Sequence, residues 1–296
     1  MIPPWLRVGV LTDLHLAPLP QPRRGWHNTY DYEGSLARLH LALEAFAGAR
    51  VDLVAVLGDL TEHGDPETIE FAVGELARRS PAPVLVVPGN HDLQAGGSEL
   101  ADAANRTGGR VRPAGWAPVE VAGIDVLGVA AAALADRRGY LAAPPGAPAE
   151  GAGPAVVLSH FPVLDLEGEL RRRGLKYSGN LNDRAGLAAF LAASGRPVVV
   201  LGGHLHVRRA LADGSILQLM FGAQIEPPHE HAIVEVTGGP PVEAAYRTVP
   251  VDGRWDGLEL PLLSPAQSAW TFAGGAWREA QPSASTSGPE RSRSAS

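Results

Sequence analysis

The chain has 296 residues, 45% of them hydrophobic, which is enough to bury one large core or two small ones. Its 25 basic and 32 acidic residues give a net charge of -7, so we expect no nucleic acid as principal partner. The absence of cysteine excludes disulfides and thiolate ligands, which leaves oxygen and nitrogen to hold any metal. With no signal-peptide pattern and no apolar run of bilayer length, we expect a cytoplasmic protein without a membrane partner.

Apolar strands alternate with amphipathic helices in the first third of the chain. Strands are predicted at residues 6–11, 51–57 and 84–87. A helix at residues 34–49 follows the first strand, and a second helix begins at Pro66 behind its N-cap Asp65. Two successive strand-helix-strand units predict parallel strands covered by helices.

Residues 17–32 are rich in proline and predict an irregular loop that overhangs the ends of these strands. Arg23, Arg24 and His27 lie in this loop, where they either form part of a lid or have no function. His63, in the next loop, either contacts a substrate or is a solvated side chain.

The middle of the chain has weaker patterns. A short helix is predicted near residues 99–105, and residues 119–129 form either a strand pair or one strand with a turn at Gly123. A strand at residues 155–159 precedes a long connection, residues 161–182, whose basic side chains are Arg171, Arg172, Arg173 and Lys176.

The last part of the chain is richer in strands. After a helix that Asp183 caps and Gly195 ends, short strands are predicted at residues 197–201, 216–221, 231–236 and 242–249. Gly/Pro turns between the last three predict antiparallel pairing, and His229 and His231 are expected to be exposed or partly buried. We assign residues 1–257 to one domain, 258–280 to a C-terminal packing segment and 281–296 to a disordered tail.

Five of the predicted strands end in side chains that can bind a cation or transfer a proton. They are Asp13 and His15, then Asp59, then Asn90, His91 and Asp92, then His160, and finally His204 and His206. Ligands of open α/β sheets bind beyond the carboxyl ends of strands, so these side chains are expected to share one pocket. Hydrolysis of a phosphate ester by two divalent ions needs about seven such ligands, with one bridging carboxylate. A single Asp-x-His or His-x-His is weak evidence, but their joint occurrence in this order carries weight.

In this order, Asp13-x-His15, Gly58-Asp59, Gly89-Asn90-His91-Asp92, His160 and Gly203-His204-x-His206 resemble the five signature blocks of the calcineurin-like metallophosphoesterase superfamily. The resemblance covers positions 13–206, and the flanking strands extend it to about Val249. It implies an α/β fold, namely a four-layer α/β/β/α sandwich of two mixed β-sheets with a dinuclear metal centre at their edge.

The resemblance also implies a role for each residue. One metal is held by Asp13, His15 and His206, the other by Asn90, His160 and His204, and Asp59 bridges them. His91 corresponds to the general acid, and Asp92 lies where an acidic residue orients that imidazole. By the same resemblance, a hydroxide bridging the two metals would attack phosphorus in line. The implied cofactors are two divalent or mixed-valence ions, Mn, Fe or Zn, with Mn and Fe favoured.

Differences between this sequence and the motifs of particular branches of the superfamily narrow the range of expected substrates. Protein phosphatases of the superfamily clamp a dianionic monoester with arginines where this chain has His63 and Pro88, and purple acid phosphatases have a tyrosine ligand where Glu62 stands. The Gly-Asp-Leu-Thr and Pro-Gly-Asn-His-Asp segments are most similar to the branch with bacterial cyclic-nucleotide phosphodiesterases. The resemblance thus favours hydrolysis of a small phosphodiester, with cyclic nucleotides among the candidates. A broad phosphomonoesterase and a non-catalytic metal-binding scaffold remain alternatives, and the oligomeric state is not predicted.

Overall fold

A computed structural model of the chain describes residues 4–25, 28–94, 98–129, 131–133, 139–141, 153–175, 179, 181–251 and 263–280. His27, Lys176, the predicted boundary at residue 257 and the predicted tail at 281–296 lie outside these ranges. Within the described part of the chain, no helix is both long and apolar enough to span a bilayer.

The described strands are short. In chain order they are β1 Trp5–Leu11, β2 Leu53–Val56, β3 Val84–Val86, β4 Val111–Pro113, β5 Val119–Val121, β6 Ile124–Gly128, β7 Ala131–Ala133, β8 Gly139–Leu141, β9 Ala155–Leu158, β10 Val198–Gly202, β11 Arg209–Asp213, β12 Ile216–Met220, β13 Glu230–Thr237, β14 Val242–Pro250, β15 Gln267–Ala273 and β16 Ala276–Glu279. The helices are α1 Tyr32–Ala49, α2 Pro66–Arg79, α3 Glu99–Asn105, α4 Glu167–Arg172 and α5 Arg184–Ala193.

Two large mixed sheets organise these strands. The first has the order β16-β15-β14-β13-β1-β2-β3-β4, in which β1 to β4 are parallel and β13 runs antiparallel to β1. The second has the order β11-β12-β10-β9-β6-β5, with a parallel centre and an antiparallel strand at each edge. Strands β7 and β8 form a separate pair.

Side chains that point alternately to the two faces of each sheet produce the layers of the fold. Leu53 and Ala55 of β2 point into the core between the two sheets, where they join residues such as Val156 of β9. Val54 and Val56 point the other way and pack with α1, α2 and α3. Helix α5 covers the outer face of the second sheet. The predicted four-layer α/β/β/α sandwich of two mixed sheets is therefore confirmed.

Helix α2 begins as its sequence predicts, because the Asp65 carboxylate accepts from the Thr68 backbone N–H at 2.9 Å and Pro66 follows. Helix α1 begins at Tyr32, two residues before the predicted start, because Asp31 caps it by accepting from Gly34. Helix α3 coincides with the predicted residues 99–105.

The predicted antiparallel succession at the end of the chain is wrong in one step. Strand β12 lies in the second sheet, parallel to β10 and antiparallel to the unpredicted β11, whereas β13 lies in the first sheet. Antiparallel pairing holds for β13 with β14. Residues 221–229 thus cross from one sheet to the other, and no local turn pattern distinguishes such a crossing from a hairpin.

Residues 267–279, within the segment predicted to pack on the domain, form the β15-β16 hairpin. Its first strand is hydrogen-bonded antiparallel to β14 and so extends the first sheet. The sequence also did not predict β4 or the short helix α4.

Candidate metal centre

The carboxyl ends of β1, β2 and β3 in one sheet and of β9 and β10 in the other meet at one edge of the sandwich. Among the described residues, three overlapping groups each have ligand atoms within 4.8 Å of one another, and all their members are buried except the half-buried His204. They are Asp13 with His15 and His206, Asp59 with His160 and His204, and His15 with Asp59 and His91. The structure therefore brings together side chains from five separate strand ends.

The first group, which we call the Asp13 triad, consists of Asp13, His15 and His206. His206 Nε2 lies 3.3 Å from Asp13 Oδ1. Asp13 Oδ1 and His15 Nε2 are buried and have no hydrogen-bond partner in the described structure. Buried polar atoms normally have hydrogen-bond partners, so two atoms without one, both able to ligate a metal, fit a bound cation.

Carboxylates hold the outer side of both imidazoles of the Asp13 triad. His15 Nδ1 is 2.7 Å from Glu62 Oε2, and His206 Nδ1 is 2.7 Å from Glu226 Oε1. An ionised carboxylate only accepts hydrogen bonds, so each Nδ1 carries a proton and donates. Each Nε2 is then the nitrogen that offers a lone pair to a cation.

The second group, which we call the Asn90 group, consists of Asn90, His160 and His204. His160 Nε2 lies 3.2 Å from Asn90 Oδ1 and 3.0 Å from His204 Nδ1. Ligand bonds of about 2.1 Å at right angles place neighbouring donor atoms about 3 Å apart, so this spacing fits one coordination sphere. On its outer side, His160 Nδ1 donates to the Leu57 carbonyl at 2.7 Å.

Asp59 lies between the two groups. Its Oδ2 is 3.7 Å from His15 Nε2 and 3.4 Å from His160 Nε2, so one carboxylate oxygen faces both clusters. Its Oδ1 accepts from the His91 backbone N–H at 2.8 Å, which fixes the orientation of the carboxylate.

Several of these residues have backbone conformations that L-amino acids rarely adopt. Asp13, His15, Asp59, His204 and His206 have φ values of 52°, 49°, 47°, 68° and 53°. Such left-handed residues cost about 1–3 kcal/mol each and cluster at functional sites. A Cβ at Gly89 would overlap Asp59 Oδ1, and one at Gly203 would overlap Thr12 Oγ1, so both close approaches require glycine.

The charged groups of the cluster shift one another's pKa values. Burial by itself raises the pKa of Asp59, but His160 and His91 outweigh it and hold that pKa well below its usual range. Burial likewise lowers the pKa of His160, yet Asp59 beside it raises this pKa to about 9. The Asp59 carboxylate therefore stays ionised, and its negative charge at this edge fits a site for a divalent cation.

His91 and Asp92, the predicted acid and its orienting residue, contact different groups. His91 Nδ1 is held by the Glu62 carbonyl at 2.7 Å. The Asp92 carboxylate instead accepts from the backbone N–H groups of Leu60, Thr61 and Gly89 and from the Thr61 hydroxyl. The Asp92 oxygens thus join the loops after β2 and β3 while Glu62 holds the His91 imidazole, and an orienting role for Asp92 stays a prediction.

The structure also places the polar residues whose roles the sequence left open. Arg24 reaches the site, with Nη1 2.7 Å from Glu62 Oε1, whereas His63 faces Gln21 at 3.3 Å. Arg171 is an exposed side chain paired with Glu167 on α4. Glu226, which the sequence did not single out, lies on residues 221–229 between β12 and β13, and no motif distinguishes it from a surface glutamate.

A sequence model described as calcineurin-like phosphoesterase matches residues 6–208. The chain belongs to this family. As a calcineurin-like phosphoesterase it is a hydrolase acting on phosphoesters, and its His/Asp clusters are candidates for a dinuclear divalent metal site.

Solved structures share the fold of this calcineurin-like phosphoesterase at low sequence identity. A dimetal phosphatase from Danio rerio is 15% identical with a TM-score of 0.54, covering 83% of this chain and 96% of its own. The protein TT1561 of Thermus thermophilus is 13% identical with a TM-score of 0.51, covering 79% and 98%. GAP50 of Plasmodium, titled as the anchor in the inner membrane complex, is 12% identical with a TM-score of 0.50, covering 85% and 87%. No curated protein sequence matches the chain.

Proposed function

We propose that this chain is a dinuclear-metal phosphodiesterase for small substrates. The observation that carries the proposal is the convergence of buried oxygen and nitrogen donors from five strand ends, with the orphaned Asp13 Oδ1 and His15 Nε2 among them. The proposed ligands of one ion are Asp13, His15 and His206, those of the other are Asn90, His160 and His204, and Asp59 is shared. Two bound divalent cations would supply charge neutralisation at phosphorus and an activated water.

His91 is the proposed general acid for the leaving alkoxide. One of its imidazole nitrogens lies within 4.8 Å of the donor atoms of His15 and Asp59, which places the ring beside the cluster. Because Nδ1 donates to the Glu62 carbonyl, Nε2 is the nitrogen from which a proton passes to the leaving oxygen.

The charge around the cluster supports a diester over a monoester. A monoester dianion needs more cationic clamping than a diester, which carries one negative charge at phosphorus. The chain has His63 and Pro88 where related protein phosphatases carry arginines. Arg24 does reach the site, but its guanidinium is paired with the buried Glu62 carboxylate.

Arg24 is also the observation that favours the alternative, a phosphomonoesterase. Its side chain is 40% exposed, so a dianionic substrate that draws the guanidinium from Glu62 would gain the missing clamp. A non-catalytic scaffold is the remaining alternative, and GAP50 supports it only through a common fold.

The test compares substrates on one preparation of protein reconstituted with Mn²⁺. We expect hydrolysis of bis-p-nitrophenyl phosphate with a kcat/KM above that of p-nitrophenyl phosphate, and a cyclic-nucleotide panel then tests the finer assignment. A higher kcat/KM for the monoester would favour the phosphomonoesterase, and no turnover with Mn²⁺, Fe²⁺ or Zn²⁺ would favour the scaffold. Elemental analysis of protein purified without added metal tests the preference for Mn and Fe, and cell fractionation tests the cytoplasmic location.

A further inference from the structure

Glu62 makes two contacts on opposite sides of its carboxylate. Its side chain is fully buried, with Oε2 2.7 Å from His15 Nδ1 and Oε1 2.7 Å from Arg24 Nη1. Arg24 lies in the segment between β1 and α1, residues 17–31, which we call loop 17–31 and of which residues 17–25 and 28–31 are described. One buried carboxylate therefore joins a proposed metal ligand to this loop.

Glu226 repeats this arrangement on the other side of the Asp13 triad. Its side chain is 1% exposed, with Oε1 2.7 Å from His206 Nδ1. Its Oε2 accepts from the backbone N–H of Asn28 at 3.2 Å, and the Asn28 side chain donates to the Pro227 carbonyl at 3.0 Å. The second carboxylate thus ties loop 17–31 to a second proposed ligand.

The loop also packs directly on the two histidines. The ring of Tyr30 lies 5.3 Å from that of His15 and 5.5 Å from that of His206, measured between ring centroids. The Tyr30 backbone N–H donates to the Arg24 carbonyl, and the Asp31 backbone N–H donates to the Ile225 carbonyl, which lies on residues 221–229 between the two sheets. Loop 17–31 therefore contacts the Asp13 triad through two carboxylates and an aromatic ring.

The Asn90 group has a different outer contact. The outer nitrogen of His160 donates to the Leu57 carbonyl at the end of β2, a neutral acceptor on the sheet itself. Removing either glutamate is therefore expected to disturb one of the two groups and to spare the other.

We propose that Glu62 and Glu226 are positioning residues that join loop 17–31 to the Asp13 triad, so that a cation bound there and the folded loop stabilise each other. The inference rests on the proposed function, because it takes the triad as a cation site. This coupling is reciprocal. The free energy by which the folded loop strengthens cation binding equals the free energy by which the bound cation stabilises the folded loop.

The experiment uses the full chain, freed of metal by chelation and titrated with Mn²⁺ alone. Calorimetry and Mn²⁺ electron paramagnetic resonance measure the affinity for each of two ions, and hydrogen exchange measures the protection of amides in loop 17–31. The variants are Glu62→Gln and Glu226→Gln. The matched control is Glu75→Gln, a buried glutamate that pairs with His40 at 2.6 Å outside the site.

We expect each site variant to weaken one ion by about 10–100-fold, as loss of an outer partner of a ligating histidine does, and to leave the other ion unchanged. Mn²⁺ should slow exchange in loop 17–31 of the wild-type protein and do so far less in the two variants. Glu75→Gln should behave as wild type. A purely structural role would lower thermal stability without changing the ratio of the two affinities.

Arg24→Gln keeps the inference testable if Glu62→Gln does not fold, because Arg24 is partly exposed. By itself it should weaken the same ion. If Glu62→Gln does fold, adding Arg24→Gln to it should cause no further loss of affinity, since both changes break one connection. Arg78→Gln, which removes an exposed partner of Glu75, is its control. The inference would be overturned, with the proposed function left standing, by unchanged affinity for both ions in the site variants. The same holds if hydrogen exchange in loop 17–31 does not change when Mn²⁺ binds. Wild-type protein that binds no divalent ion would defeat the proposed function as well.

Discussion

His91 and Asp92 are adjacent in the sequence but contact different parts of the molecule. If His91 is the general acid, His91→Ala lowers kcat by about 10²–10⁴-fold, because the leaving alkoxide then departs without a positioned proton. Both metals should remain bound, since His91 is outside the proposed ligand set. Steady-state kinetics and elemental analysis measure these effects, with His40→Ala as a control that changes neither. Normal turnover by His91→Ala would reopen the assignment of the acid.

Unlike His91, Asp92 is expected to affect the stability of the protein. Its carboxylate accepts four hydrogen bonds from the loops after β2 and β3, so Asp92→Asn places an amide N–H₂ against backbone donors. We expect a loss of about 2–3 kcal/mol in the free energy of unfolding, measured by urea denaturation. The pH profile of kcat should keep its shape, whereas a displaced profile would support Asp92 as the orienting residue.

Strand β13 packs against α1 through His231, which is 5% exposed although its sequence suggested an exposed or partly buried residue. Its ring contacts Phe46 of α1 at 5.2 Å between centroids. Burial, with a smaller effect from Arg247, lowers the pKa of His231 to about 4. The unfolded chain has the ordinary pKa of about 6.5, so between about pH 6.5 and 4 only the unfolded state binds this proton. Stability from this contact therefore falls as the pH falls through that window.

Because of this titration, we expect the free energy of unfolding to be about 2 kcal/mol lower at pH 5 than at pH 7. His231→Leu removes the titration and keeps an apolar contact with α1, and Nδ1 of His231 has no hydrogen-bond partner to lose in the described structure. Urea denaturation at both pH values should show this loss in wild-type protein and a smaller one in the variant. Equal pH dependence in the two proteins would show that His231 is protonated in the fold.

The proposed metal centre joins the two sheets, so its occupation is expected to stabilise the whole molecule. A ligand at 100 times its dissociation constant adds about 2.7 kcal/mol to the free energy of unfolding, so Mn²⁺ should raise Tm by several degrees. Asp59→Asn removes the carboxylate proposed to bridge the two ions, and it should reduce both the rise in Tm and the content of both metals. Calorimetry and elemental analysis measure this, with Asp125→Asn, whose carboxylate pairs with Arg196, as the control. Full retention of two ions by Asp59→Asn would exclude the bridging role.

The sequence by itself determined most of the strands and helices around the site and the chemistry of the strand ends. Leu53 to Val56 alternate between two apolar faces, and Asp65 with Pro66 starts α2, because these signals depend on residues close in the chain. The order of Asp, Asn and His at strand ends also indicated the family. It was enough to predict the sandwich and the set of residues that meet at its edge.

Only the tertiary structure decided which neighbours hold those residues. Glu62 lies 47 residues from His15, and Glu226 lies 20 residues from His206, on the segment that crosses from β12 to β13. The sheet to which β12 belongs, and with it the position of Glu226, depends on packing between two sheets and not on a local turn. A glutamate in the sequence looks the same whether it is solvated or buried against an imidazole, because its burial is fixed by elements distant in the chain.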